Sequence, residues 1–168
     1  MVEKDYKVNV ILTSPPYNTA RCVNTERARE ILNQRYDIHF DNMTDEEYHD
    51  WTKNLFDEFD KVLNTNGVIL YNISYGSENP NAMWVALEAI RKTNFMIADT
   101  IVWKKKSALP NNTSSNKLTR ITEFVFVICR KNEFKTFQAN KKVTSENVRG
   151  QKYYENVFNF IEAPNNDG

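Results

Sequence analysis

Apolar and polar positions along this chain fall into blocks of two periods. Val8–Thr13 is apolar apart from Asn9, and Val68–Ser74 reads Val-Ile-Leu-Tyr-Asn-Ile-Ser. Runs this short and this apolar predict strands of the buried type. Met96–Trp103 and Ile121–Arg130 predict a third and a fourth strand. Between the first two, Tyr48, Trp51, Leu55, Phe59, Val62 and Leu63 recur at helical spacing and predict one apolar helix face. Thr44-x-x-Glu47 is a capping box for that helix, and Asp45, Glu46 and Glu47 suit the positive end of its dipole. Asn66-Gly67 is expected to end it. Pro80, just after a cap at Asn79, is expected to open a second helix with Met83, Trp84, Leu87 and Ile90 on one side.

The order is strand, helix, strand, helix, strand, loop, strand. Two crossover helices imply parallel pairing with right-handed connections, and the final pair, joined by the Asn/Ser-rich loop 107–119, is expected to be antiparallel. The fold class is therefore α/β with a mostly parallel sheet. Residues 18–36 are polar, with Arg21, Arg27, Arg29 and Arg35, and read as a loop or lid holding a short helix around Glu26–Asn33.

With 168 residues the chain has room for one domain with a core. No apolar run approaches the length of a membrane span, and Met-Val-Glu-Lys-Asp has no signal-peptide character. Cys22 and Cys129 stand far apart and without metal spacing, as expected of free thiols in a reducing, cytoplasmic setting. His39 and His49 have no partner pattern for zinc. The net charge of zero conceals segregation: residues 104–152 hold 12 Lys and Arg against 3 acids, whereas residues 1–103 hold 10 against 16. The basic block begins at Lys104, Lys105 and Lys106 and includes Lys117, Arg120, Arg130, Lys131, Lys141, Lys142 and Arg149. Such a block would hold a polyanion through its phosphates, with affinity but little sequence information.

The most informative chemistry lies where the first strand ends. Thr13-Ser14-Pro15-Pro16-Tyr17 places a hydroxyl before two prolines and an aromatic ring after them. The prolines fix φ and carry no N–H, so their carbonyls are held rigidly without a competing donor. A small acceptor cluster beside a stacking ring suits a planar base bearing an amino group. This segment resembles the (Asp/Asn/Ser)-Pro-Pro-(Tyr/Phe) loop of DNA methyltransferases that modify exocyclic amines. Tyr36-Asp37-Ile38-His39-Phe40-Asp41, then Glu47-Tyr48-x-x-Trp51, resembles the stretch after the catalytic loop in that family. Asn66-Gly67 into Val68-Ile69-Leu70, Ile101-Val102-Trp103-Lys104-Lys105 and Arg120-x-x-Glu123-Phe124-Val125-Phe126 resemble its later strands. The match covers most of residues 7–131, in the motif order of the β group.

The resemblance implies a base flipped from the duplex and direct methyl transfer from S-adenosylmethionine. Ser14 Oγ and the Pro15 carbonyl would accept from the amine, Pro16 would hold their geometry and Tyr17 would stack on the base; Thr13 and Ser14 would border the cofactor. Lys104, Lys105, Lys106, Lys117, Arg120, Lys141 and Lys142 would face DNA. Serine in the first position resembles the N4-cytosine enzymes more than the N6-adenine ones. One family feature is missing. The cofactor turn Phe-x-Gly-x-Gly has no counterpart, since Gly67, Gly76, Gly150 and Gly168 are the only glycines. The chain therefore reads as the amino-terminal, substrate-side half of a doubly wound, Rossmann-like methyltransferase sheet. Residues 1–131 form that half and 132–168 begin a target-recognition segment. The cofactor motif is expected on a further segment or a second chain. The alternatives are a non-catalytic DNA-binding remnant or split-enzyme subunit, and a methyltransferase acting on protein glutamine or RNA.

Overall fold

The computed structural model describes residues 6–19, 43–76, 79–108 and 115–163. Most of the lid reading, its short helix and the Tyr36–Asp41 motif lie outside the described residues, as does the middle of the 107–119 loop. The elements are β1 (Val8–Thr13), α1 (Asp45–Val62), β2 (Leu63–Ile73), α2 (Ala82–Arg91), β3 (Phe95–Lys104), β4 (Thr122–Arg130), β5 (Val143–Glu146), β6 (Lys152–Tyr154) and β7 (Phe160–Glu162). Five strands form one sheet in the order β1-β2-β4-β3-β7, and β5-β6 is a separate ribbon. β1 pairs parallel with β2, and β7 with β3, while β4 runs antiparallel to both β2 and β3. Four of the five strands thus point one way: the fold is α/β with a mixed, mostly parallel sheet. The crossover through α2 does not make neighbours of β2 and β3, because β4 inserts between them.

α1 begins as its local sequence dictates. The Thr44 side chain accepts from Glu47 N, and the Glu47 carboxylate accepts from Thr44 N at 2.9 Å. Tyr48, Thr52 and Phe56 form its buried line, with Trp51, Leu55 and Phe59 partly buried beside it. Phe56 centres the core, with its ring 5.4 Å from that of Tyr71 and 5.5 Å from that of Phe95. The helix ends earlier than Asn66-Gly67 indicates. Val62 is its last residue and 40% exposed, and Leu63 is already extended and buried. Arg130 explains the stop: its guanidinium donates to the carbonyls of Asp60, Leu63 and Asn64. Asn66 (φ 58°) and Gly67 instead form an irregularity inside β2, where the pairing with β1 jumps from Leu63 to Val68.

α2 starts at Asn81 as N-cap, without a side-chain cap bond, so Pro80 and Asn79 lie outside it. Met83, Leu87 and Ile90 enter the core as expected, together with Ala82, Ala86 and Ala89. Trp84 does not: it is 64% exposed. Lys131 Nζ donates to the carbonyls of Arg91 and Thr93 at the helix end. The core pairs both helices with Ile69, Tyr71, Ile73, Phe126 and Ile128 of β2 and β4. β1 forms one edge of the sheet, with Val8, Val10 and Leu12 exposed.

Candidate active site at the end of strand β1

Parallel pairing places Thr13 opposite Tyr71, so the chain leaves β1 beside the carboxyl end of β2. From there Ser14 is exposed, Pro15 buried, and Pro16 and Tyr17 half-buried. The loop is clamped from the second proline onward. Tyr48 of α1 donates its hydroxyl to the Pro16 carbonyl at 2.7 Å. Asn18, at φ 49° and fully buried, accepts from Met43 N at 2.7 Å and donates to the Met43 carbonyl at 3.0 Å. Asn79 donates to the Asn18 carbonyl at 3.0 Å. Asparagine is among the non-glycine residues that adopt left-handed backbone most readily, and here its side chain is held by Met43, 25 residues away. Of the two proline carbonyls, Pro16 is committed to Tyr48; that contact leaves the Pro15 oxygen.

The Tyr17 hydroxyl reaches inward to two strands. It donates to Asn72 Oδ1 of β2 at 2.8 Å and lies 3.2 Å from Glu123 Oε2 of β4. Ser14 Oγ is 2.9 Å from the Tyr17 hydroxyl. Asn72 is itself fixed, donating to the Phe124 carbonyl at 3.1 Å. Glu123, 13% exposed, forms an ion pair with Lys105. Burial pushes the Tyr17 phenol up to about 12; the bond with Ser14 lowers it, and the charge of Glu123 raises it further. The ring is therefore a neutral plate held at its rim, with Ser14 on the open side.

The structure brings together Ser14, Pro15, Pro16 and Tyr17, and adds Tyr48, Asn72 and Glu123, to which sequence reasoning assigned no role at the site. Asn72 had a signal, as a polar residue inside an otherwise apolar strand; Glu123 stood in a quoted motif without a role. The basic residues do not form one set. Arg130 and Lys131 cap the two helices and leave the group of polyanion-facing bases. Lys104 pairs with Glu162 across β3–β7, and Lys105 with Glu123. Arg120 donates to the Tyr75 carbonyl and lies 5.0 Å from the centre of the Tyr75 ring. Lys106 and Lys117 are exposed near this end of the β3–β4 connection, and Lys141 and Lys142 lead exposed into β5.

The sequence model of a DNA methylase family matches residues 8–167. The chain belongs to the DNA methylase family. No curated protein matches it in sequence. Among solved structures it is similar to the PvuII DNA methyltransferase, described as cytosine-N4-specific, at 17% identity and a TM-score of 0.60. That match covers 98% of this chain and 53% of the PvuII enzyme. It is also similar to M1.HpyAVI in complex with SAM, at 16% identity and a TM-score of 0.45, covering 98% of this chain and 60% of that one. The likeness to the PvuII enzyme is one of fold. This DNA methylase chain spans between half and two thirds of the length of these structures. Its described residues do not supply the glycine turn for S-adenosylmethionine by themselves: Gly67 lies inside β2, and Gly76, in the connection from β2 to α2, has no second glycine two residues away.

Proposed function

We propose that this chain is the substrate-gripping part of an enzyme that methylates an exocyclic amino group in DNA, with cytosine N4 favoured over adenine N6. The observation that carries this reading is the Ser14–Tyr17 loop, with an exposed hydroxyl, a rigid proline pair and an anchored ring at a strand end. S-adenosylmethionine is the methyl donor in such a reaction, and the residues for it are expected on a further segment or a second chain. An exocyclic amine is a poor nucleophile because its lone pair is delocalised into the ring. Ser14 Oγ and the Pro15 carbonyl accept its two N–H bonds, favour a more tetrahedral nitrogen and restore the lone pair. Acceptors that bind most strongly as charge develops raise the rate rather than the affinity. The base leaves the duplex to reach them, and stacking on Tyr17 offsets about 1–3 kcal/mol of that cost. Lys104, Lys105, Lys106, Lys117, Arg120, Lys141 and Lys142 contact phosphates, with Lys106, Lys141 and Lys142 the most available.

Methyl transfer to duplex DNA, followed with labelled cofactor in the assembled enzyme, tests this. Ser14→Ala and Pro15→Ala are expected to lower turnover at least tenfold while DNA affinity changes little, since the first removes one positioned acceptor and the second frees the backbone that holds the other in place. Near-normal turnover in Tyr17→Ala would sink the assignment. The missing glycine turn favours one second reading, a split-enzyme subunit that binds DNA and turns nothing over alone. Transfer that appears only when a cofactor-binding chain is added supports that arrangement.

A further inference from the structure

The Tyr17 hydroxyl carries one proton, and three oxygens lie in range of it: Ser14 Oγ at 2.9 Å, Asn72 Oδ1 at 2.8 Å and Glu123 Oε2 at 3.2 Å. Two of these only accept. Asn72 uses its amide nitrogen on the Phe124 carbonyl, which turns Oδ1 toward Tyr17. The Glu123 carboxylate, held by Lys105, has no proton to offer. The Tyr17 proton is therefore committed to β2 and β4, and the contact with Ser14 needs a second proton. Only the Ser14 hydroxyl supplies it.

We infer that Asn72 and Glu123 act through the Tyr17 hydroxyl as positioning residues that lock Ser14 as a hydrogen-bond acceptor. A freely rotating serine hydroxyl can present either its proton or its lone pairs to an incoming amine. Here the proton points back to Tyr17, and both lone pairs face the exposed side. Tyr17 thereby has a second task besides stacking: its oxygen receives the proton that would otherwise oppose the substrate N–H. The high phenol pKa keeps the Tyr17 proton in place across the working pH range. The lock rests on the methyltransferase reading for its purpose, but not for its geometry.

The test uses 3,5-difluorotyrosine in place of Tyr17, whose more acidic phenol titrates within the stable range and is followed by fluorine NMR in the chain alone. Ser14→Ala takes a donor from the phenolate and is expected to raise the midpoint by about one pH unit, the size of one hydrogen bond, which reports the contact itself; the direction in the neutral pair is read from turnover of the double mutant. Glu123→Gln removes a repelling charge and lowers it. A midpoint that falls or stays put in Ser14→Ala overturns the inference. In the assembled enzyme, Tyr17→Phe keeps the ring and is expected to lower kcat about tenfold with KM for DNA unchanged, and to add nothing in a Ser14→Ala background. Additive losses overturn the lock as well. A wild-type assembly without methyl transfer would overturn the proposed reaction alone, because the titration requires neither cofactor nor turnover.

Discussion

Arg130 and Lys131 are neighbours in sequence, and each closes a different helix. Arg130 joins the last carbonyls of α1 to the Asp60 carboxylate, and Lys131 gathers those at the end of α2. A cation at a helix C-terminus meets both the unpaired carbonyls and the dipole. Partial burial pushes the Asp60 carboxyl up, but hydrogen bonds from Arg130 and Asn94 and the Arg130 charge outweigh this, so its pKa lies below the usual value. A depressed carboxyl stabilises the fold above its unfolded pKa and loses that contribution as pH falls through its folded pKa. Arg130→Met is expected to cost about 2–3 kcal/mol at neutral pH. It is also expected to flatten the fall of stability below about pH 4, and urea unfolding at several pH values checks both. The same scale shows what sequence could convey about the site. Ser14 to Tyr17 are contiguous, so sequence alone could single them out as one group. Asn72 and Glu123 stand 55 and 106 residues from Tyr17, and only the sheet brings them to its hydroxyl.

Element starts and element ends differ in how local their causes are. The start of α1 was legible because Thr44 and Glu47 satisfy each other within one turn. Its end was not, because the capping guanidinium comes from β4. Asn66-Gly67, a turn signal in sequence, became an irregularity in β2 instead. Gly67 is required there by space: a Cβ would lie 2.6 Å from Leu63 Cγ and 2.9 Å from the Asn64 carbonyl. Gly67→Ala is expected to destabilise by about 1–3 kcal/mol, as overpacking does, with the thermal midpoint as the measure. The first four strands and the antiparallel pairing of β3 with β4 were legible from apolar runs and a helix-free connection, whereas the short, exposed β5, β6 and β7 carry no such run. The insertion of β4 between β2 and β3 was not, since both neighbours offer it equally apolar faces.

At the scale of the whole molecule the sheet is unequal at its two sides. β7 ends one side with three residues, whereas β1 ends the other with Val8, Val10 and Leu12 exposed at 40%, 52% and 74%. The apolar content that marked this strand as buried is thus displayed at an edge, with one row of backbone groups that no strand among the described residues pairs. We expect the chain by itself to dimerise or aggregate, and to bind S-adenosylmethionine weakly or not at all. Sedimentation with calorimetric titration of the cofactor measures both. Val10→Lys, a charge on the open edge, is expected to shift the chain toward monomer; a stable wild-type monomer binding the cofactor at micromolar strength would contradict this account.

β4, paired along both sides, carries Glu123 near its beginning and Cys129 near its end. Cys129 is 2% exposed, and burial, together with the weaker effect of the Glu133 charge, raises its thiol pKa, so it is inert while the strand stays in place. A strand with two partners opens only when both ladders break, so its release lies close to global unfolding. In a Cys22→Ser background, the rate at which a thiol reagent labels Cys129 becomes a stopwatch for the opening of the strand that anchors the Ser14–Tyr17 loop. Slow labelling that tracks the unfolding rate would mean the loop's anchor survives every smaller fluctuation of the molecule.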